Sequence, residues 1–395
     1  MTVQDTLQAV RAHEDEFIAL RRDIHQHPEL PFEELRTSDL VAARLRDWGY
    51  HVERGLGGTG VVGQLGRGDG TRTLGLRADM DALPIQEATG LQYASRNQGV
   101  MHACGHDGHT AMLLAAAKVL AEQGDFSGTL NLIFQPAEEY GTSDCGAVRM
   151  INDGLFDKYP CDAIFSMHNM PGWPQGHLIF REGPMMASSD KVYITLVGHG
   201  GHGAVPHKTA DPVVAAASLV MALQTVVSRN VDPLQTAVVT VGVLQSGRAN
   251  NVIPDSAYLE LSVRALDSEV RSLLQQRITD ITHAQAQSFG VKAEIDYRRG
   301  YAALVNSKDE TDFARQIGTE LVGAERVVPQ APPLTGSEDF AFMLEKCPGS
   351  YLLIGNGDGD KLGACMVHNP GYDFNDANLA IGAAYWALLA RRYLV

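Results

Sequence analysis

The chain has 395 residues, enough for two or three domains, and its 45% apolar and 20% charged content is that of a globular protein with a real core. Its formal charge of −15, from 32 basic and 47 acidic residues, argues against nucleic acid and anionic membrane as partners, since both ask for a basic surface. Five cysteines without a C-x-x-C pair, no signal-peptide pattern at the N-terminus and apolar runs (111–117, 379–390) shorter than the ~20 residues of a bilayer span point to a cytoplasmic enzyme, and the 14 histidines stand out.

Apolar spacing at Leu7, Val10, Phe17, Leu20 and Ile24 predicts a helix over 6–26, ended by His27-Pro28. A second helix, 34–48, stops at Gly49. Short β-like runs follow at 61–65 and 73–76, then an Ala/Leu-rich helix at 107–122 and strands at 129–134 and 163–167. This alternation predicts an α/β layer architecture with a mostly parallel sheet. From about residue 186 the rhythm changes: strand 191–197, helix 212–228 opened by Pro212, strands 237–244 and 257–265, helix 268–289 and strand 291–297. The order β-α-β-β-α-β is the ferredoxin-like unit, which is self-contained, so an inserted domain is expected. Helix 309–321, strand 350–354 and helix 375–393 close the chain. The expected organisation is a catalytic domain from 1–185 and 301–395 with a lid domain, 186–300, inserted in it.

Polar chemistry concentrates in a few segments. M-H-A-C-G-H-D-G-H at 101–109 combines three histidines, a cysteine and an aspartate. Residues i and i+2 of an extended segment point the same way, so Cys104 and His106 can face one point, and thiolate and imidazole both bind zinc and similar metals. Asp107 is then placed to cap the next helix. A loop with solvated histidines is the plain alternative. F-Q-P-A-E-E at 134–139 follows a strand, and α/β sheets hold ligands beyond strand C-termini. Adjacent carboxylates diverge, so of Glu138 and Glu139 one can bind metal while the other acts as general base. The alternative is a solvated acidic pair at a helix start.

Asp79 and Asp81, two apart after another strand, face one side, and a buried carboxylate pair needs cations or hydrogen bonds. His168, in S-M-H-N after a strand, and His368, in M-V-H-N-P near the C-terminus, add two more imidazoles. A lone histidine is more often packing than ligand, but several just beyond strands of one sheet edge favour a site. Segments 55–60 and 198–203 match G-x-G-x-x-G, yet neither sits between a strand and a helix, which argues against a dinucleotide site. G-N-G-D-G-D at 355–360 lacks the downstream Glu of an EF-hand and reads as a turn.

Taken together, these segments resemble the M20 family of metallopeptidases, and most of all its amidohydrolase branch, over essentially the whole chain. The motifs run in order: R-R-x-x-H-x-H-P-E-L at 21–30, D-M-D-A-L-P at 79–84, the 101–109 and 134–139 segments, M-H-N at 167–169, G-H-G-G-H-G-A at 198–204, N-V-I-P at 251–254, G-S-E-D-F at 336–340 and H-N-P at 368–370. The resemblance implies a zinc-peptidase-like α/β catalytic domain, an inserted ferredoxin-like lid, and two divalent ions per subunit: manganese, zinc, cobalt or nickel. It implies Cys104, His106, Glu139, His168 and His368 as metal ligands and Glu138 as general base. Cys104 stands where most of the wider family has a bridging aspartate. The wider family's first ligand is the histidine of an H-x-D motif; here that place reads Asp79-Met80-Asp81, and His106 would compensate. Asp81 keeps the position that orients a ligand histidine.

In the lid, His202 would stabilise an oxyanion, or be a plain loop histidine, and Asn251 would bind the substrate carbonyl or carboxylate. Arg264 reads equally as a carboxylate partner or a strand-face salt bridge. The implied activity is hydrolysis of hippurate-like N-acyl or N-aroyl amino acids to a carboxylic acid and a free amino acid. A dipeptidase or an N-acetyl-diaminopimelate deacetylase would use the same metal core. A non-catalytic binding protein is disfavoured by the intact Glu138 and ligand set. A homodimer formed through the lid is the assembly the resemblance implies, with a monomer or a tetramer as the alternatives.

Overall fold

The computed structural model describes residues 2–395. The chain divides into two compact units, Met1–Gly183 with Val305–Pro332 and Asp339–Val395, and Pro184–Leu304 with Pro333–Glu338.

The first unit is built on an eight-stranded sheet in the order His51–Leu56, Gly60–Arg67, Gly128–Gln135, Thr73–Asp79, Ala163–Pro171, Gly349–Gly357, Leu178–Ile179, Val327–Val328. The four central strands run parallel. Four of the seven neighbouring pairs in this sheet are parallel, including the outermost pair Leu178–Ile179 and Val327–Val328, and three are antiparallel, so the sheet is mostly parallel with antiparallel junctions on both flanks. Gly57 and Gly58, both at positive φ, make the tight turn that joins the first two strands, and a turn that short returns the chain antiparallel. The central strands are buried along almost their whole length, as strands covered on both faces must be.

The helix His106–Gln123 is buried nearly all round because it packs against the sheet and against helices Glu14–Gln26 and Asn378–Tyr393. At its crossing with the last of these, a β-carbon at Gly382 would lie 2.0 Å from Met112 Sδ, so glycine sets the helix spacing. The helix opens on Gly105 in left-handed conformation (φ 92°), and Asp107, expected as its cap, lies inside the first turn instead. The single helix expected over 6–26 is two, Val3–Arg11 and Glu14–Gln26. Glu14, Asp15 and Glu16 form the first turn of the second, where the helix dipole favours acidic residues.

The second unit is a four-stranded antiparallel sheet in the order Ala237–Ser246, Ser256–Ala265, Asp190–Val197, Lys292–Arg299. Helices Pro212–Asn230 and Ser268–Ser288, capped by Asp211 and Asp267, pack on it and complete the ferredoxin-like order. Period-two alternation sorts the strand Ser256–Ala265: Ala257, Leu259, Leu261 and Val263 enter the core, while Tyr258, Glu260, Ser262 and Arg264 take the other face. Pro212–Asn230 is long and apolar enough to cross a membrane by length and composition. Its Ala215, Leu219, Leu223 and Val226 are instead buried in the core of this unit.

Candidate metal centre

The polar segments meet at the C-terminal ends of the parallel strands. Thr73–Asp79 delivers Asp79 and then Asp81, and Gly128–Gln135 leads into a 3-10 turn, Glu138–Tyr140. His168 lies within its strand, because Ala163–Pro171 continues past the expected end at residue 167. His368 sits in a loop at φ 62°, its N–H donating to Ala103 O at 2.7 Å.

Two donor groups share the Cys104 thiol. The ligand atoms of Cys104, His106 and His168 lie within 4.8 Å of one another, and so do those of Cys104, Glu139 and His368. Cys104 Sγ is 3.4 Å from His168 Nε2, and His368 Nε2 is 3.0 Å from Glu139 Oε1. His106, Glu138 and Glu139 form a third group of the same compactness.

Asp81 ties two of these segments together. Its Oδ1 is 3.1 Å from His106 Nδ1, and its Oδ2 accepts the Glu139 N–H at 2.8 Å. That leaves His106 Nε2 turned to the cluster, buried and without a hydrogen-bond partner among the described residues. A buried polar atom left unpaired is costly, and a carboxylate on the far nitrogen of an imidazole is the usual support of a metal ligand. Asp79 is committed elsewhere: its Oδ1 accepts from His109 Nδ1 at 2.6 Å and its Oδ2 from Arg77 Nη1 at 2.7 Å. His109 Nε2 in turn accepts the Asn169 N–H at 3.0 Å, so this histidine braces the site.

Asn169 also donates from Nδ2 to Cys104 O at 2.7 Å and accepts from Tyr372 Oη at 2.6 Å. A β-carbon at Gly105 would lie 2.2 Å from that Nδ2, which is why glycine separates Cys104 from His106. Sequence reasoning gave no role to Asn169, His109 or Tyr372. The first two stood inside recognised motifs, whereas Tyr372 comes from a loop 203 residues from Asn169.

The electrostatics fit cations. Burial, reinforced by the charges of Glu139 and Glu138, pushes the Cys104 thiol well up; a divalent ion reverses that sign, because a coordinating thiol is deprotonated. Burial works against a charged His106, yet Asp79 and Asp81 push it up to about 10. Burial likewise opposes ionised Glu139, but its hydrogen bond to His368 and the charge of His106 pull it down. Burial, with His109, holds His168 well below its ordinary value, in the neutral form that binds metal. One thiol, three imidazoles and carboxylates make a donor set that suits two divalent ions.

In the second unit, Gly201–His202 pairs with Val252–Ile253, and Gly203 N–H donates to Asn251 O at 2.8 Å. His202 and Asn251 therefore share one exposed ribbon. Arg264 Nη1 donates to Ser337 Oγ at 3.1 Å, so its partner among the described residues is a hydroxyl and not a strand-face carboxylate.

A buried thiol–imidazole–carboxylate cluster at the sheet edge, with Glu138 beside it, defines a metal-dependent hydrolase. The chain belongs to the peptidase family M20/M25/M40, whose model matches residues 75–392, and within it to the amidohydrolase branch. It is 47% identical to the hippurate hydrolase of Campylobacter jejuni over 96% of this chain and 97% of that one. It is 40% identical to the N-acetyl-L-cysteine deacetylase of Bacillus subtilis over 94% and 86% of the two chains. A dinuclear metal-binding peptidase of the M20 family from Bacillus subtilis superposes with TM-score 0.82 at 33% identity, covering 97% of this chain and 99% of the other.

Proposed function

We propose that this amidohydrolase cleaves the amide bond of N-acyl and N-aroyl amino acids, releasing a carboxylic acid and a free amino acid. The observation that carries this reading is the likeness to hippurate hydrolase along nearly the whole of both chains. Cys104, His106 and His168 would hold one ion and Cys104, Glu139 and His368 the other, and manganese, zinc, cobalt or nickel all suit such donors. Two ions so held supply Lewis acidity and lower the pKa of water. Glu138 takes a proton from the attacking water and returns it to the leaving amine. Asp81 keeps His106 and the Glu139 backbone in register. His202 stabilises the oxyanion that forms at the carbonyl.

Asn251 binds the substrate's carbonyl or carboxylate from the ribbon it shares with His202. Arg264 borders a groove of about 270 Å³ together with Lys191, Tyr193 and Ser262, and its guanidinium, partly desolvated there, gains from an anion. The deacetylase relative favours a short acyl group as a second substrate reading. Exposed Val213, Val214 and Met221 on the lid helix, and the edge strand Ala237–Ser246, support a homo-oligomer through the lid. Five unpaired cysteines support a reducing, cytoplasmic setting.

The test is a release assay on benzoyl, acetyl and dipeptide substrates, after chelation and after each metal is restored. Chelated protein should be inactive and re-metallated protein active. Glu138→Ala should keep its metal and lose at least about 100-fold in turnover. Full activity after chelation, or in Glu138→Ala, would sink the reading.

A further inference from the structure

Three described residues other than glycine hold left-handed backbone: Phe32 (φ 67°), Ala137 (φ 52°) and His368 (φ 62°). One carboxyl group grips two of them. Glu34 Oε1 accepts the Phe32 N–H at 3.0 Å and the Ala137 N–H at 2.8 Å, while Oε2 accepts from the Thr59 hydroxyl. Glu34 is fully buried. A residue with a β-carbon in left-handed conformation is strained, and it persists where its surroundings impose it. A buried carboxyl is also costly unless its oxygens are bonded, as these are. Two unfavourable features thus meet at one point, and that point adjoins Glu138.

The turn is held from its other side as well. Gly146 N–H donates to Ala137 O at 3.2 Å, and a β-carbon at Gly146 would lie 1.6 Å from Pro136 O. Glu139, two residues on, is fixed by its N–H on Asp81. The backbone on both sides of Glu138 is therefore anchored by buried carboxyl groups, Glu34 before it and Asp81 after it. Rotating Ala137 to an ordinary φ would swing the Glu138–Tyr140 turn away from the cluster.

We propose that Glu34 is a positioning residue, which holds the left-handed turn at Ala137 and thereby aims the Glu138 carboxylate. The inference rests on the reading of Glu138 as general base. Glu34 acts through the Ala137 amide. Burial, with the charge of Asp81, pushes its carboxyl up to about 7, so its acceptor oxygens matter more than its charge. Glutamine keeps an acceptor oxygen at the same reach, and alanine does not.

The experiment compares Glu34→Ala, Glu34→Gln and Glu34→Ala/Ala137→Gly in the metal-loaded enzyme, well below their unfolding temperatures. Glu34→Ala should lower kcat about 10–100-fold, the usual size of a small misplacement, with KM within about threefold of wild type and metal content unchanged. Glu34→Gln should stay within about threefold of wild type. Adding Ala137→Gly should restore at least about threefold of the loss, because glycine adopts the left-handed turn without steric cost. A stability role alone would not move kcat in this pattern.

Amide hydrogen exchange at Ala137 gives a readout free of activity, faster in Glu34→Ala and unchanged in Glu34→Gln. Wild-type kcat in Glu34→Ala, equal damage in both variants, or unaltered exchange at Ala137 each overturns the proposal. If Glu34→Ala does not fold, Glu34→Asp, too short to reach both amides, takes its place with the same outcomes. If wild type cleaves no acyl amino acid, the functional reading alone fails, and the exchange measurement still decides whether Glu34 holds the turn.

Discussion

Two clusters of buried carboxylates flank the first turn of the His106–Gln123 helix, and neighbouring residues of that turn enter different ones. His106 faces Cys104, His168, Glu138 and Glu139. Asp107 faces Arg21, which also meets Asp373 at 3.0 Å and Asp376 at 2.6 Å, and His25, whose Nδ1 is 2.9 Å away. The Arg21 guanidinium is fully buried and lies 4.7 Å from the centroid of the Tyr93 ring. One cluster has its cation on the chain. The other opposes its acids with a thiol that burial keeps protonated and an imidazole whose inner nitrogen has no hydrogen-bond partner among the described residues. Buried acid is thus structural on one side of a helix turn and ligand-like on the other, and the groups placed opposite it decide which.

The largest effect is expected from removing the built-in cation. Arg21→Ala leaves Asp107, Asp373 and Asp376 without their guanidinium, and breaking a buried pair costs about 3–5 kcal/mol. Chemical denaturation measures the loss. The protein that remains folded should still bind its full complement of metal, because the Arg21 cluster contributes no ligand atom. A loss below about 1 kcal/mol, the size of a surface pair, would erase the distinction between the clusters.

A smaller effect, with a pH signature, is expected at His25. Burial opposes its charged form, but Asp107 and the Glu87 hydrogen bond push it up to about 9, while Arg21 pulls the other way. The sign follows from linkage. A raised folded value gives stability that is fully present below the unfolded value near 6.5 and lost as pH climbs through about 9. The shift corresponds to about 3 kcal/mol. The stability difference between wild type and His25→Gln should shrink by that order from pH ~6 to pH ~10. A difference that stays flat would mean the ring is neutral and the cluster relies on Arg21 alone.

Much of this arrangement can be read locally. Glu138–Glu139 reads as a site because it follows a strand, whereas Cys104 and His106 meet for a reason other than the expected extended segment: Gly105 turns left-handed between them and His106 opens the helix. The ferredoxin-like order of the second unit follows from its periodicity. Arg21 carried a local signal too: it is four residues after Phe17 and three before Ile24, on a buried stripe that it shares with Phe17, Leu20, Ile24 and His25, where a charge must have a buried partner. Its partners carried none, since Asp107 is 86 residues away and Asp373 is 352. Asp107 shows the limit of a local rule. An aspartate at a helix start is a natural cap, but Gly105 took the cap position and two distant cations took the carboxylate. The left-handed turns at Ala137 and His368 were illegible for a related reason, because alanine and histidine do not prefer that conformation and only tertiary bonds impose it.

The smallest of these effects sharpens the comparison from the metal side. Cys104 belongs to both donor groups, so Cys104→Ser touches each of them, and a serine hydroxyl is a much weaker donor to a soft divalent ion than a thiolate. Altering partners that merely support ligands costs about 10–100-fold in metal affinity, about 1.4–2.7 kcal/mol, and a shared ligand should cost at least as much. Competition against a chelator measures the loss, and the thiolate-to-cobalt absorption of the cobalt form should vanish with the sulfur. The metal-free protein should unfold at nearly the wild-type midpoint, because the Arg21 cluster is untouched and serine keeps the size of the side chain. Cys104→Ser would then weaken metal and spare the fold, while Arg21→Ala would weaken the fold and spare metal. Unchanged metal affinity in Cys104→Ser would make the thiol a packing group and reduce the two donor groups to the imidazoles and carboxylates around it.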